Sequence, residues 1–420
     1  MPPNHVLIMG AGIGGPALAL SLARQGIRAT VFEIRPSPQQ SGGSITLAAN
    51  ALSALSVCGG QEIYPKVKAL GYVYERMGMN DDSGYFYGTL QVGDEKKDGF
   101  AAVRIMRTEL HKLLLEECKA RGVETLFGKK AKEIKQDSKG VNVEFEDGTQ
   151  VNGDILIGAD GIHSQARKHV LLDKAPIPEF SKTIVVNGFV PRSTVITPRP
   201  DYEFPATIIS PSGFLGAFLV GPKGDKVAWG VNTTVTADKG REGWEEFKRS
   251  GEAARLARED YANIKTEPIR SLLDNMDEKH VQLWVPFRLP ILPAWSRGRV
   301  GLIGDAAHAM PPNGQGTAMA FEDAAFLGRL LGDEENWAKG PEAIFKHFEK
   351  IRAVRLDGVR KMSAKMGENL KKRSDPEGWG WWLKKWAIWA YISVWNRGTI
   401  KTNGFMGFDV AKLDAKVSAA

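Results

Sequence analysis

The chain has 420 residues, enough to bury a large core and to form more than one domain. Its hydrophobic content of 43% and charged content of 25% are typical of a globular protein and exclude a disordered or fibrous chain. The net charge is +7, but no long block of Lys or Arg is present, which argues against a nucleic-acid-binding protein.

The first predicted element is a strand–loop–helix–strand unit. An apolar run at residues 5–9 leads into Gly10-Ala11-Gly12-Ile13-Gly14-Gly15, helical spacing follows over 16–24, and a second apolar run ends at Glu33. In such a unit the glycines let the backbone approach a pyrophosphate at a helix N-terminus, and the acid accepts hydrogen bonds from a ribose. The pattern therefore predicts a dinucleotide site, although it does not distinguish FAD from NAD.

Two further motifs follow in the same α/β part of the chain. Arg107 begins a predicted amphipathic helix over 107–122, and Asp160-Gly161 ends a buried strand at 154–157. Taken alone, the arginine would be interpreted as a solvated residue at a helix end, and the Asp-Gly pair as a tight turn.

The character of the sequence changes after residue 180. Runs at 183–190, 207–209, 213–220 and 227–235 are rich in β-formers and are separated by turn residues, which predicts an antiparallel or mixed sheet. The α/β pattern returns at Val300, so the first domain is predicted to be discontinuous, with the β-rich part inserted.

The stretch VGLIGDAAHAMPPNGQG, residues 300–316, places Asp305 at the end of a buried strand and Gly316 at the start of a helix. This arrangement indicates a ligand site but not which ligand. We interpret His308 as structural rather than catalytic, because no Ser-His-Asp arrangement or Cys/His metal spacing accompanies it.

A tryptophan-dense stretch follows near the C-terminus. Trp379, Trp382, Trp386 and Trp389 fall on one face of a predicted helix. We expect this helix to pack across both domains and to close the site. The alternative is an anchor at a membrane interface, with Lys384-Lys385 as flanking residues, although the apolar run is too short to span a bilayer.

Cys58 and Cys118 offer neither a disulfide framework nor a metal-binding spacing, and both lie among apolar residues. We therefore expect two buried free thiols, which fit a reducing compartment. The N-terminal stretch shows no secretory signal, so the predicted location is the cytoplasm.

Taken together, the glycine motif with its acid, the helix-starting arginine, the Asp-Gly motif and the Gly-Asp motif resemble the FAD-dependent single-component aromatic hydroxylases. These are flavoprotein monooxygenases with the p-hydroxybenzoate hydroxylase fold. Within that family the chain is most similar to the tetracycline-inactivating and small secondary-metabolite monooxygenases. The resemblance implies an α/β protein with a Rossmann-like FAD-binding domain, an inserted β-sheet substrate domain and a C-terminal helical segment. The implied boundaries are 1–70, 100–180 and 286–332 for the FAD-binding domain, 71–99 and 181–285 for the substrate domain, and 333–420 for the helical segment.

The resemblance also implies FAD and NADPH or NADH as cofactors, and hydroxylation or epoxidation of an electron-rich aromatic or polycyclic small molecule with O2. The FAD-binding residues that it implies are Gly12 and Gly15 for the pyrophosphate, Glu33 for the adenosine ribose, Gly43 and Gly316 for the flavin ring, Arg107 for the ribose and pyrophosphate, Asp160 for FAD and the nicotinamide cofactor, and Asp305 for a ribityl hydroxyl. In the tetracycline-type enzymes an arginine just after the ribose-binding acid contacts the nicotinamide cofactor. Here Gln39-Gln40 stand near that place, with Arg35 upstream as the candidate.

On the substrate side, Asn187 lies inside an apolar strand and Arg192 follows it. Asn187 is either a surface or backbone-satisfied amide or a substrate hydrogen-bonding group. Arg192 is a candidate for orienting or protonating a substrate oxygen. Rival functions are a flavin-dependent halogenase, whose WxWxIP motif is missing, a reductase of isoprenoid chains, and a non-catalytic binding protein of related fold. We expect a monomer or a dimer.

Overall fold

The structure is a computed structural model that describes residues 1–38, 42–310, 313–371, 379–400 and 406–417. Its strands are β1 (His5–Met9), β2 (Arg28–Glu33), β3 (Ser44–Leu47), β4 (Tyr72–Tyr74), β5 (Arg76–Asp81), β6 (Phe86–Gln91), β7 (Ala102–Met106), β8 (Glu124–Phe127), β9 (Ala131–Gln136), β10 (Val141–Phe145), β11 (Gln150–Gly153), β12 (Ile155–Gly158), β13 (Glu179–Phe180), β14 (Thr183–Pro191), β15 (Ala206–Ser210), β16 (Gly213–Val220), β17 (Lys226–Thr234), β18 (Gln282–Trp284), β19 (Phe287–Arg288), β20 (Ser296–Arg297), β21 (Val300–Leu302) and β22 (Thr399–Ile400).

The helices connect these strands and extend the C-terminal part. They are α1 (Gly14–Arg24), α2 (Ala49–Gly59), α3 (Ile63–Leu70), α4 (Glu95–Asp98), α5 (Arg107–Ala120), α6 (Gln165–Leu171), α7 (Gly240–Arg249), α8 (Glu252–Asp260), α9 (Ile269–Asp274), α10 (Asp305–His308), α11 (Gly316–Leu331), α12 (Glu334–Ala338), α13 (Pro341–Lys371) and α14 (Trp379–Trp389).

A six-stranded sheet in the order β20-β21-β12-β1-β2-β8 forms the centre of the first domain. All neighbours are parallel except β20 and β21. The central strand β1 is apolar throughout Val6–Ile8, and these residues are fully buried because both faces of the sheet are covered. In parallel sheets ligands bind beyond the carboxyl ends of the strands, so the loops after β1, β12 and β21 lie at the expected ligand edge.

An eight-stranded sheet in the order β18-β14-β17-β16-β15-β5-β6-β22 forms the second domain. Along β14, Ile184, Val186 and Val190 are buried in a core shared with α7, α8 and α9. The alternate residues, which include Asn187, are only half-buried on the other face. A small sheet in the order β3-β7-β4 packs against β16 and joins the two domains.

The predicted fold class is confirmed, including the strand–loop–helix–strand unit at the N-terminus and the inserted sheet. Residues 71–99 divide between two sheets, because β4 pairs with β7 whereas β5 and β6 enter the eight-stranded sheet. The segment after residue 333 also contributes β22, which pairs with β6. Sequence periodicity could not reveal this last pairing, since a two-residue strand carries no repeat.

The tryptophan face of the C-terminal helix points to solvent, whereas a helix that closes the site by packing across both domains would bury it. On α14, Trp379, Trp382, Trp386 and Trp389 are exposed, whereas Trp381 is buried. The spacing of the tryptophans defines a helical face but not the direction in which that face points. Among the described residues, no helix combines the length and the apolar character needed to cross a bilayer.

Candidate active site

The glycine loop between β1 and α1 is closely packed against its neighbours. Gly10 has φ of +103°, and a Cβ there would lie 2.4 Å from the carbonyl oxygen of Ala159. A Cβ on Gly15 would lie 1.9 Å from the carbonyl oxygen of Gly10. Neither position can carry a side chain, so the loop brings α1 directly onto β1. At Gly12 a Cβ would meet no described atom within 4 Å, which leaves its backbone open to a ligand.

Glu33, at the end of β2, fixes this loop. Its Oε2 accepts a hydrogen bond from the Ala11 amide at 2.9 Å, and its Oε1 accepts one from the Arg35 amide at 3.0 Å. From α5, His111 Nε2 donates to the Ala11 carbonyl oxygen at 2.6 Å. Each carboxylate oxygen of Glu33 retains a second lone pair for a ligand hydroxyl. Arg35 stays largely exposed beside it, with Nη1 3.6 Å from Glu33 Oε1.

Asp305 and Arg107 lie close enough for their charges to interact. Both side chains are accessible to solvent, and neither forms a hydrogen bond with any residue that the structure describes. Burial by the surrounding protein raises the pKa of Asp305, which the charges of His308 and Arg107 oppose. Burial lowers the pKa of Arg107, and the charge of Asp305 acts in the opposite direction. Charged side chains with perturbed pKa values that form no hydrogen bond within the protein are candidates for contact with a polar ligand.

His308 belongs to a buried network behind Asp305. His308 Nε2 donates to Asp323 Oδ2 at 2.6 Å, and the Gly304 amide donates to the same oxygen at 2.8 Å. Arg352 Nε donates to Asp323 Oδ1 at 2.8 Å, and both side chains are fully buried. The network fixes the turn that presents Asp305, in agreement with the structural interpretation of His308.

Asp160 connects the loop after β12 to the glycine loop. Its Oδ2 accepts hydrogen bonds from the amides of Gln165 at 2.7 Å and Ala166 at 3.2 Å, at the start of α6. Its Oδ1 is buried and has no partner among the described residues. Burial raises the pKa of Asp160. Its Cα lies 2.8 Å from the position that a Cβ on Gly10 would occupy, so the two motifs touch.

The start of α11 completes this side of the site. A Cβ on Gly14 or on Gly304 would lie 3.4 Å from Ala320 Cβ in both cases. Ala320 is one turn after Gly316, so α11 begins beside both motifs. Gln39-Gln40 and Pro311-Pro312, which the sequence analysis singled out, lie outside the described residues.

Asn187 is brought next to Gly43 by the register of the eight-stranded sheet. A Cβ on Gly43 would lie 3.3 Å from Asn187 Oδ1 and 3.5 Å from Gln282 Oε1. The carbonyl oxygen of Gly43 accepts a hydrogen bond from the Arg107 amide at 3.0 Å. A single path of contacts therefore links Arg107, Gly43 and Asn187.

Arg192 does not join this group. It lies five residues beyond Asn187, which corresponds to about 16 Å along a strand. Its Nη1 donates to the Val195 carbonyl oxygen at 3.0 Å, and its guanidinium lies 5.0 Å from the ring centre of Phe204. These contacts are local and fix the end of β14.

A family model described as FAD binding domain matches residues 4–359 of the chain. The chain belongs to this family. It is 31% identical over 400 residues to a salicylate hydroxylase of Pseudomonas putida, a match that covers 88% of this chain and 86% of the relative. Among solved structures, Klebsiella pneumoniae HpxO with FAD and uric acid has a TM-score of 0.74 at 22% identity, with coverage of 97% and 96%. Tetracycline destructase Tet(51) has a TM-score of 0.64 at 20% identity, with coverage of 93% and 97%.

This membership confirms the resemblance to the FAD-dependent aromatic hydroxylases. It also confirms FAD as the cofactor and the enzyme class, an FAD-dependent hydroxylase. Three observations show that the residues of this site fit FAD. At Gly12 the space that a Cβ would occupy is open, Asp160 Oδ1 is buried without a described partner, and the side chains of Asp305 and Arg107 form no hydrogen bond with the described residues.

In this FAD-binding fold, the sequence analysis missed one charged residue near Gly43. Arg104 on β7 donates from Nε to Ser44 Oγ at 2.9 Å and from Nη1 to Thr46 Oγ1 at 3.1 Å. Its guanidinium lies 4.1 Å from the ring centre of Phe218 on β16. No carboxylate in the described part of the chain pairs with it, and burial lowers the pKa of Arg104 to about 10. The signal available in the sequence was an arginine inside an apolar strand.

Two other residues of the FAD-binding fold were also missed. Asp323 follows Glu322 in the middle of α11, among buried residues that are otherwise mostly apolar, and both carboxylates pair with Arg352 on α13. A carboxylate that interrupts an apolar helical face is a sequence signal for a buried ion pair. The partner was not predictable, because it comes from a different helix.

Proposed function

We propose that the protein is a monooxygenase that uses NADPH or NADH and O2 to hydroxylate an electron-rich aromatic small molecule carrying an anionic group. The observation that carries the proposal is the series of contacts that links Asp305 to Arg107 by charge, Arg107 to Gly43 by a hydrogen bond, and Gly43 to Asn187 by close approach. Flavin-dependent hydroxylation requires the protein to position the cofactor beside the substrate, and Asn187 offers a half-buried amide next to Gly43 for that substrate.

In this proposal each motif holds one part of FAD. Gly12, Gly15 and the start of α1 receive the pyrophosphate, while the free lone pairs of Glu33 receive the adenosine ribose. Asp305 accepts from a ribityl hydroxyl, and Arg107 neutralises the nearby phosphate. FAD supplies the redox and oxygen chemistry when it is bound.

The remaining predicted residues border the ring and the reductant. Gly43 and the start of α11 at Gly316 lie along the flavin ring, where amide groups at a helix N-terminus stabilise negative charge. Asp160 faces both FAD and the nicotinamide cofactor, and Arg35, which is exposed next to Glu33, is the proposed contact for NADPH or NADH. The protein thus positions both reactants and excludes water from the space between them.

Asn187 is the proposed hydrogen-bonding group for the substrate, because its amide is half-buried and adjoins Gly43. Arg192 keeps a supporting role at the end of β14 in this proposal, since its guanidinium is already bonded locally.

Arg104 supplies the charge that selects an anionic substrate. A buried cation without a counter-charge is unfavourable, and a substrate carboxylate or phenolate would supply that charge. Its Nη2 donates to no described residue and is not sealed from solvent, so one edge of the guanidinium remains available. The planar fork of arginine suits a carboxylate particularly well.

The free, buried thiols of Cys58 and Cys118 support the proposal of a cytoplasmic enzyme. We propose that it acts as a monomer or a dimer.

The test is oxidation of NADPH and NADH by the FAD-loaded protein, with and without O2, in the presence of phenols, hydroxybenzoates, indoles and tetracyclines. We expect one class of compound to accelerate oxidation and to yield a product heavier by one oxygen atom. Asp305→Asn, compared with Arg192→Gln, should show the larger loss of FAD affinity. A flavin that neither NADPH nor NADH reduces would refute the proposal and favour a reductase with another electron donor.

A further inference from the structure

The tryptophan face of α14 is the largest group of exposed aromatic side chains on any one helix that the structure describes. Trp379 is 81% exposed, Trp382 59% and Trp386 57%, and Leu383 between them is 53% exposed. Their spacing places them on one side of the helix. Val394, in the turn of π-helix that follows α14, is 63% exposed as well. Soluble proteins rarely expose contiguous apolar groups of this kind without a partner.

The opposite side of α14 is already fixed to the protein. Trp381 is buried, and Lys385 Nζ lies 2.8 Å from Asp82 Oδ1 and 3.3 Å from Asp81 Oδ2. Further along, Ile392 is buried against β6, and β22 pairs with β6. The exposed tryptophans therefore lie on the outer side of a helix whose inner side is already packed. Rotating the helix to bury them would break the Lys385 ion pairs.

The composition of this surface indicates which kind of partner it binds. Residues 379–400 contain no Asp or Glu, and the whole chain carries a net charge of +7. Lys385 is paired with Asp81 and Asp82, whereas Lys384 and Arg397 pair with no carboxylate in the described part of the chain. Tryptophan has a large apolar ring and a polar N–H group, so it favours the boundary between headgroups and acyl chains. Basic residues beside such rings are attracted to anionic headgroups.

The size of the surface argues against a second copy of the chain. An eleven-residue helix is about 16 Å long and about 10 Å wide, so its footprint is about 160 Å². A stable dimer buries about 800 Å² on each partner. Insertion of several rings into a headgroup layer requires no matched surface, whereas a protein partner does.

We propose that the exposed face of α14, formed by Trp379, Trp382, Leu383 and Trp386, docks the enzyme on the surface of a bilayer that contains anionic lipid. The helix lies in the plane of the interface with its tryptophans inserted, and the ion pairs of Lys385 hold the folded enzyme against the membrane. The docking does not depend on turnover, because the face is exposed in the folded protein without any conformational change.

The experiment uses the FAD-loaded full chain with vesicles of phosphatidylcholine, either alone or mixed with phosphatidylserine. We expect the protein to float with the mixed vesicles, with a blue shift of its tryptophan emission, and to bind phosphatidylcholine alone more weakly. The double variant Trp382→Ser/Trp386→Ser should bind the mixed vesicles at least about tenfold more weakly, because binding scales with the apolar area inserted.

The matched control is Trp284→Ser, which removes a tryptophan of similar exposure, 51%, from strand β18. It should bind vesicles as the unmodified protein does. The flavin absorbance of each variant confirms that it is folded. The proposal is overturned if the protein remains unbound with both kinds of vesicle, or if the double variant binds as well as the control. It is also overturned if the double variant changes only the oligomeric state measured by sedimentation, because the face would then belong to a second copy.

Discussion

Replacing Arg104 by glutamine tests the substrate class directly. The side chain is the one charged group described on β7, and its Nε and Nη1 are held by Ser44 and Thr46 beside Gly43. The amide nitrogen of glutamine corresponds in position to Arg104 Nε, so the variant can keep the contact with Ser44 Oγ but removes the positive charge. We therefore expect a selective loss of affinity for anionic aromatic ligands rather than a general loss of binding.

The magnitude follows from the environment of the guanidinium. Truncating one partner of a buried charge pair in a complex costs about 2 to 5 kcal/mol, and the retained polar contacts place this case at about 2 to 3 kcal/mol. At 1.4 kcal/mol for each factor of ten, the dissociation constant of benzoate should rise about 30- to 150-fold. Benzamide, which has the same shape without the charge, should change less than about threefold.

Folding stability should barely respond to this substitution. The cation–π contact with Phe218 is worth about 1 kcal/mol, and its loss is offset by removal of an unpaired buried charge. We expect a change of less than about 1 kcal/mol in the free energy of unfolding.

The assay is the perturbation of flavin absorbance on titration with benzoate and with benzamide. Arg199→Gln is the matched control, because Arg199 also lies over an aromatic ring, that of Phe86 at 4.9 Å, but pairs with Asp201. Equal weakening of benzoate and benzamide binding by Arg104→Gln would refute the reasoning, as would equal effects of the two arginine variants.

Three further predictions concern the candidate FAD site and the buried network behind Asp305. Gly15→Ala should lower the free energy of unfolding in urea by about 3 kcal/mol or more, because the new Cβ overlaps the Gly10 carbonyl oxygen. Gly12→Ala should leave the stability unchanged and weaken only FAD binding. Similar unfolding midpoints for the two variants would contradict this prediction. Asp305→Asn should raise the dissociation constant of FAD about 10- to 100-fold in a fluorescence titration. The stability of the apoprotein should not fall, because the carboxylate forms no hydrogen bond with a described residue. A lower melting temperature with unchanged FAD affinity would indicate a structural role instead. Burial alone would raise the pKa of Asp323, but His308 and Arg352 hold it below its ordinary value of 3.8, so its contribution to stability is present above that value and is lost as the pH falls through the folded-state pKa. Asp323→Asn should therefore cost about 3 to 5 kcal/mol at neutral pH and flatten the acid limb of the stability profile, which urea unfolding at several pH values would measure; an unchanged acid limb would exclude Asp323 as its source.

Much of the FAD-binding domain could be predicted from the sequence because its signals are local. The glycine loop, the helix after it and Glu33 lie within about 30 residues, and their spacing reflects the geometry of one strand–loop–helix–strand unit. The same holds for Asp305, since a strand, a turn and a helix follow one another there without interruption. The runs that became β14 to β17 were likewise recognisable from residue type and turn signals.

The substrate side was less predictable, because it depends on pairing between distant segments. Asn187 was a candidate on residue type alone, and only the register of β14 beside β18 places it near Gly43. Arg192 was also a candidate in the sequence, yet the strand carries it about 16 Å away. Arg104 was missed because its lack of a carboxylate partner is a property of the folded environment.

The sequence by itself determined the α/β class, the dinucleotide loop and the residues that follow the ends of β1, β2 and β21, because periodicity and short spacing record backbone geometry. Only the tertiary structure decided which charges remain unpaired, which polar side chain meets Gly43, and that the tryptophan face of α14 points outward. A helical repeat defines a face relative to its own axis, but the direction of that face is set by the contacts on its other side, here those of Trp381 and Lys385.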